Sequence, residues 1–449
     1  MKKSFTIDQT WLSCINCGYK TDLLEERKFR CPKCGDLYDI EHNFTLIGKS
    51  LEQYRETFDS RITSGAFLKK EAKYHSGVWR FQEWIMPFIP ESNIVSLGEG
   101  NVPIVRAGKN LQSWVGEDVE LYIIMEGMTP TGSFKDFGGT VMMSVAKAAG
   151  IQNVCCASTG DTSAMAAAYS AAAGIQCAVI LPKGKITPVQ LAQPLVHGAK
   201  IILLPGDFDA CMKVMQELVV KYGVYPANSL NPARIEGHQA TVFLVAQYFS
   251  WECPDWIAVP VGNGSNCSSV GKALRLLKRM GMEKTSRILG CQSQAANPLV
   301  KSWNTARDQG SGEGLVSREQ WKSVYKPIAV GETTATAARI GDPVSRDKVM
   351  REITQSGGAM QMAEESDLNE AVAICGKDGY FVCPQTGIAL AGVRNACRQG
   401  WIRSGARIVV VSTATGLKFT DSAAANLQNN IISAEDCKTD TVAKILKVS

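Results

Sequence analysis

A chain of 449 residues is too long for one ordinary hydrophobic core, so two or three domains are expected. With 45% hydrophobic and 20% charged residues it has a soluble globular composition, and a net charge of +5 over this length points to neither a nucleic-acid nor a membrane partner. Fifteen cysteines, an odd number scattered along the chain, argue against a secreted disulfide framework and for free thiols in a reducing, cytoplasmic setting. The start, Met1-Lys2-Lys3-Ser4-Phe5, leads into no apolar run of a secretory signal.

In chain order the first signal is a pair of knuckles. Cys14-x2-Cys17 is followed, after thirteen residues, by Cys31-x2-Cys34, and a glycine, Gly18 or Gly35, follows each pair. Four thiolates so spaced can close a tetrahedral zinc site in a small ribbon. A segment this short cannot bury a core of its own, which favours a structural metal as its stabiliser. Residues from about 40 to 95 read as helical and connecting, with Trp79 and Trp84 packing on a larger body. A βα alternation then runs to near residue 415. Short apolar strands are expected at 153–157, 176–181, 200–204, 256–260, 287–290 and 407–411, and helices at 208–220, 268–280 and 388–399. Such alternation implies parallel sheets covered by helices on both faces. The stretch 164–182 reads as a buried helix and a strand, not a membrane span. From about Ala423 the chain is polar, a tail or a terminal helix.

The chemistry sits in the connections. Thr131-Gly132-Ser133-Phe134-Lys135-Asp136-Phe137-Gly138-Gly139 sets one lysine among small residues and an aromatic at a helix start. That setting suits a Schiff base with an aldehyde cofactor such as pyridoxal 5′-phosphate; a surface lysine after a turn is the alternative. Ser158-Thr159-Gly160-Asp161-Thr162-Ser163 follows a strand and opens an Ala-rich helix, so its amides can hold a carboxylate or simply cap the helix. Val261-Gly262-Asn263-Gly264-Ser265-Asn266 opens another helix with a nest of amides suited to a phosphate. It has neither a Walker lysine nor the dinucleotide glycine spacing, so the phosphate is not expected to belong to a nucleotide. In Asn228-Ser229-Leu230-Asn231-Pro232-Ala233-Arg234-Ile235-Glu236-Gly237, Arg234 can fork onto phosphate oxygens or pair structurally with Glu236. Val411-Ser412-Thr413-Ala414-Thr415-Gly416 puts hydroxyls at the end of the last strong strand. His42, His75, His197 and His238 show no metal spacing and read as packing or surface residues. No nucleophile elbow and no zinc-protease helix is present in the sequence.

Taken together these motifs resemble the fold-type II pyridoxal-phosphate enzymes of the tryptophan synthase β family, and within it the threonine synthases of the plant-like branch. Leu97-Gly98-Glu99-Gly100-Asn101-Val102-Pro103 is similar to that family's opening motif. Residues 131–136 are similar to its lysine motif, and 157–163, 228–237 and 412–418 to others, so the resemblance covers about 31–421. It implies an α/β fold of two lobes of parallel or mixed sheet flanked by helices, with the ribbon-like knuckle in front. Residues 1–40 would form the ribbon segment, 41–105 with 235–449 a large cofactor-binding domain, and 106–234 a small domain carrying the lysine and substrate loops.

The resemblance also implies roles. Lys135 would anchor the cofactor and shuttle protons. Gly262, Asn263, Gly264, Ser265 and Asn266 would hold its phosphate, Thr413 would face its ring nitrogen, and Asp161 would stand beside its hydroxyl. Ser158, Thr159, Gly160 and Thr162 would hold the substrate's carboxylate side; Thr162, Ser229, Asn231 and Arg234 would surround its phosphate. Cys14, Cys17, Cys31 and Cys34 would bind zinc. The implied reaction converts O-phospho-L-homoserine and water to L-threonine and phosphate in a homodimer, with activation by S-adenosylmethionine as a feature of plant-like relatives. A serine or threonine dehydratase or a sulfhydrylase of the same fold is the alternative enzyme. A non-catalytic zinc-ribbon binding protein is the alternative of another class. Phe137 and Thr415 depart from the pattern, standing where many members have Arg and His.

Overall fold

The computed structural model describes residues 4–63, 65–158, 160–184, 188–309, 316–420, 432–435 and 439–446. Among them are three sheets. The first is a small antiparallel ribbon of β1 (Thr10–Cys14), β2 (Lys20–Asp22) and β3 (Tyr38–His42), in the order β2-β1-β3. Its two turns are closed by Gly18 N–H donating to Cys14 O and Gly35 N–H to Cys31 O. Those turns bring the four thiols of Cys14, Cys17, Cys31 and Cys34 to within 4.8 Å of one another.

The larger sheet uses β4 (Ile104–Arg106), β5 (Glu120–Met125), β10 (Trp256–Pro260), β11 (Arg287–Ser293), β12 (Ala359–Ala363) and β13 (Arg407–Ser412), in the order β12-β11-β10-β13-β5-β4. All pair in parallel except the edge strand β4. The smaller sheet is parallel throughout: β6 (Asn153–Cys156), β7 (Gln176–Pro182), β8 (Lys200–Leu204) and β9 (Tyr225–Pro226), in the order β8-β7-β6-β9. The expected α/β class and its mixed and parallel sheets are therefore present. One expectation changes. Segment 106–234 does not stay in one sheet, because β5 lies between β13 and β4 of the larger one.

Six helices position the site: α1 (Lys135–Ala148), α2 (Asp161–Ala173), α3 (Ala233–His238), α4 (Ser265–Arg279), α5 (Arg346–Gln355) and α6 (Pro384–Arg398). Helix α4 starts three residues before the expected 268. Gly264, at φ +87°, turns the chain straight into the helix, a conformation that favours glycine. Helix α6 starts four residues before 388, with Pro384 at its first position where the missing N–H costs nothing. Trp79 and Trp84 are fully buried, as expected, and the Trp79 indole donates to Thr140 of α1 at 2.7 Å. The polar tail contains a helix at Thr439–Leu446. No helix among the described residues is long and apolar enough to cross a membrane.

Helices α1 and α3 touch backbone to backbone. A Cβ at Gly237 would stand 1.8 Å from the Phe137 carbonyl oxygen, and one at Gly138 would stand 2.8 Å from Arg234 O. Neither contact has a flexible side chain that could yield, so these helices approach only because both residues lack a Cβ. Gly237→Ala is expected to cost about 3 kcal/mol or more, the upper range for overpacking, read from the urea midpoint. An unchanged midpoint would show that α3 can slide on α1.

Candidate active site

Three of the implicated loops leave the carboxyl ends of three adjacent parallel strands. The cradle at residues 262–266 follows β10, the Thr413 loop follows β13, and the lysine loop follows β5. This is where open parallel sheets bind ligands. Two of the loops are zipped together through main chain: Phe134 N–H donates to Thr413 O at 2.8 Å and Thr415 N–H to Gly132 O at 3.1 Å. The other two loops come from the smaller sheet. Asn228 joins them, accepting from Ala157 N–H at 3.1 Å and donating to Ala157 O at 2.9 Å. Lys418 ties the two sets, with Nζ 2.8 Å from Asp161 Oδ1 and donating to Thr131 O at 2.9 Å.

Lys135 opens α1, and its Nζ stands 3.5 Å from the centroid of the Phe134 ring. Its pKa is lowered to about 7, first by desolvation and then by the positive charges of Arg234 and Lys418, against the opposing pull of Asp161 and Cys383. Near neutrality a large share of this amine is unprotonated and nucleophilic. Asp136 stiffens the loop, accepting from Thr131 N–H at 2.7 Å and Thr131 Oγ1 at 2.5 Å, and burial lifts its pKa to about 6. Phe137 is fully buried core and its carbonyl lies against Gly237, so the position serves packing. Thr415 caps the short turn Gly416–Lys418, accepting from Leu417 N–H at 3.3 Å.

The cradle has the donors a phosphate needs. Gly264 caps the 15-residue α4 with no side-chain acceptor, and Asn266 is buried with both amide atoms unpartnered. Asn263 shapes the loop by accepting Ser345 N–H on its carbonyl at 3.0 Å, and Ser345 Oγ is buried without a partner. Ser265 is buried in the first helical turn, and Gly262 packs below Ala337 O. Unmet donors around a helix N-terminus fit an anion. With a desolvated lysine anchored beside them on the same sheet edge, the residues fit pyridoxal 5′-phosphate.

Arg234 is 1% exposed. One guanidinium nitrogen donates to Ala227 O at 3.1 Å, while Nε and the other terminal nitrogen have no partner. Burial lowers its pKa to about 10, so it remains a cation at neutral pH. Its expected alternative partner, Glu236, instead contacts Lys272 and His42. Asn231 is committed to the scaffold: its amide donates to Pro226 O at 3.0 Å and accepts from Ala233 N–H at 3.0 Å. Ser158 accepts from Gly160 N–H at 3.3 Å; Gly160 caps α2, and Thr162 and Ser229 are half-buried. Thr159 lies outside the described residues. Asp161 is paired with Lys418 at the mouth of α2.

Four further residues belong to this neighbourhood. His238 is buried with both ring nitrogens unpartnered, its ring 4.9 Å from that of Phe134. Burial, then Arg234 and Lys135, push its pKa well below the usual histidine value, so it is a neutral ring. Glu126, just past β5, is fully buried and accepts from Thr241 Oγ1, and burial raises its pKa to about 8. Cys383 Sγ lies 3.4 Å from Thr413 Oγ1 and 3.2 Å from Thr386 Oγ1. Lys418 is the fourth.

The chain matches the family of pyridoxal-phosphate dependent enzymes over residues 95–414, and it belongs to that family. It is 36% identical to chloroplastic threonine synthase 2 of Arabidopsis thaliana over 406 residues, 89% of this chain and 75% of that protein. It is 35% identical to threonine synthase of Methanocaldococcus jannaschii over 436 residues, 97% and 98% of the two chains. Within the larger family it is thus a member of the threonine synthases. The fold is shared with the Escherichia coli threonine synthase structure, at a TM-score of 0.67 and 19% identity, covering 96% of this chain and 94% of that one. Maize serine racemase has a TM-score of 0.58 at 16% identity, covering 80% and 99%.

The depressed Lys135 gives a kinetic signature. The rate at which the apoprotein captures pyridoxal 5′-phosphate is expected to rise with pH through about 7 and then level off, as the amine loses its proton. Stopped-flow absorbance would read this; a rise centred near the ordinary lysine value would show that the amine is solvated.

Proposed function

We propose that the protein converts O-phospho-L-homoserine and water to L-threonine and inorganic phosphate. The observation that carries the substrate choice is Arg234, a buried guanidinium with two unpartnered nitrogens beside a desolvated lysine. Leaving such donors unpaired in a closed site is costly, and a phosphate dianion satisfies them. Lys135 would anchor the cofactor, residues 262–266 would hold its phosphate, and Thr413 would face its ring nitrogen. Asp161 would stand near its hydroxyl, with Lys418 fixing the carboxylate. Ser158, Thr159, Gly160 and Thr162 would take the substrate's carboxylate. Ser229, Thr162 and Arg234 would take its phosphate, with Asn231 shaping the loop that presents Arg234.

When bound, the cofactor supplies an electron sink for negative charge developing at the substrate Cα. The chain's own work is proton handling and phosphate recognition. Lys135 would take the proton from the substrate Cα. A pKa near neutrality lets the same amine accept and return protons at Cα, Cβ and Cγ. Arg234 holds the phosphate while the Cγ–O bond breaks, and water adds its hydroxyl at Cβ. Neutral His238, its ring tilted against that of Phe134, places no further positive charge beside the amine.

The four thiols are read as a structural zinc centre. Their closest separations, 3.4 Å for Cys14–Cys34, 3.5 Å for Cys17–Cys31 and 3.6 Å for Cys17–Cys34, approach the edge of about 3.8 Å that a tetrahedron with 2.3 Å Zn–S bonds requires. The two sheets are read as two lobes, the smaller built on β6 to β9. A homodimer and a cytoplasmic, reducing setting complete the reading, supported by the common preference for twofold assemblies and by the free thiols.

Lys135→Ala is expected to lose the visible band of the lysine-bound cofactor and to lower phosphate release by about 10³-fold or more. Arg234→Leu is expected to lower kcat/KM for phosphohomoserine by roughly 10²-fold while cofactor binding holds. Equal loss of both by Arg234→Leu would make the arginine structural, and keto-acid formation without phosphate release would favour the dehydratase alternative. Purified protein should contain about one zinc per chain, lost in Cys17→Ser/Cys34→Ser; zinc content unaltered by that change would place the metal elsewhere.

A further inference from the structure

Glu236 lies two residues beyond Arg234 on α3, and its carboxylate is buried. Oε1 contacts Lys272 Nζ, in the middle of α4. Oε2 lies 3.4 Å from His42 Nε2, at the end of ribbon strand β3, and accepts from Gln239 Nε2 at 2.8 Å. Lys272 also donates to the carbonyl of Ile40 within β3. His42 is held from the other side, with Thr10 Oγ1 of β1 3.0 Å from its Nδ1. One carboxylate therefore joins the helix that bears Arg234, the helix whose first turn is the cradle, and the ribbon.

A second buried acid repeats the arrangement. Asp39 of β3 is 2.8 Å from Lys348 and 2.6 Å from Arg351, both on α5, and 3.6 Å from Arg275 on α4. Helix α5 reaches the cradle directly: Ser345, which precedes it, donates to Asn263 O, and Val349 fills the space a Cβ on Gly264 would need. Ribbon strand β3 is thus charge-locked to both helices that shape the phosphate cradle. Buried ion clusters are a weak source of stability, since apolar residues of equal volume serve as well or better, but they can fix one register among packed elements. None of these acids takes part in the reaction as derived above.

We propose that Glu236 is a positioning residue: held by Lys272 of the cradle helix and His42 of the ribbon, its carboxylate fixes where the Arg234 guanidinium stands, so that the ribbon sets how tightly the phosphorylated substrate is bound. The inference rests on the reading that Arg234 receives the substrate phosphate. It gives the ribbon a role in recognition.

The test uses the full-length holoenzyme and two readouts: steady-state kinetics with phosphohomoserine, and binding of inorganic phosphate by calorimetry. Glu236→Gln keeps the shape and removes the charge. It is expected to raise KM and the phosphate dissociation constant together by about tenfold or more, with kcat within about threefold and the cofactor's visible band retained. Glu236→Asp is expected to recover most of the loss, and His42→Ala, a change within the ribbon, to shift both constants in the same direction. Should Glu236→Gln not fold because Lys272 is left buried and unpaired, Glu236→Gln/Lys272→Met removes both charges and carries the same expectation. Folded variants that melt earlier yet keep wild-type KM and phosphate affinity would overturn the proposal. Wild-type enzyme that releases no phosphate from phosphohomoserine would instead defeat the functional reading, and phosphate binding would still decide the role of Glu236.

Discussion

An excess of buried positive charge governs this site. Lys135 lies within the field of Arg234 and Lys418, and Asp161 pairs directly with Lys418. Burial, more than repulsion, sets their charge: desolvation lowers the lysine to about 7 and the arginine to about 10, and desolvation followed by the charges of Arg234 and Lys135 holds His238 neutral. Such a place is stable only if packing enforces it, and it is prepared for anions before any arrives. A phosphate on the substrate is what this excess of positive charge calls for.

The enforcing elements are main chain and buried acids. Helices α1 and α3 meet at Gly138 and Gly237 with no room for a Cβ, which brings Lys135 and Arg234 into one neighbourhood. Glu236 and Asp39, turned toward α4, α5 and the ribbon, place their negative charge where it balances Lys272, Lys348 and Arg351. Burial alone would raise the Asp39 pKa, yet Lys348 and Arg351 hold it well below the usual carboxylate range. The acids thus organise the scaffold, while Arg234 keeps two guanidinium nitrogens unpartnered for a ligand.

The parts of this design that were legible in the sequence are those written in local pattern. The lysine loop, the cradle glycines and the two cysteine pairs announce themselves through spacing and small residues, and six strands of the two parallel sheets lie where apolar β-branched runs put them. Strand β5 has equally strong strand formers in Leu121, Tyr122, Ile123 and Ile124, but its local pattern does not say which sheet it joins. Strand β12, Ala-Met-Gln-Met-Ala, has weak intrinsic preference and is a strand through pairing with β11. Lys418, His238, Glu126 and Cys383 owe their places to contacts across 100 residues or more, or to burial, neither of which leaves a periodic trace. Asn231 shows the converse: a motif position whose side chain serves its own loop.

The hydrogen bond from Phe134 N–H to Thr413 O has one more implication. Lys135 is located by amides and carbonyls, which every amino acid possesses, whereas the group proposed to face the cofactor ring is a side chain, Thr413, with Cys383 at its flank. Scaffold and reactivity are therefore encoded by different atoms of the same residue. On that reading, evolution or a protein engineer could exchange the hydroxyl at 413 for a thiol or an acid and retune the ring's electronics without disturbing where the amine is placed.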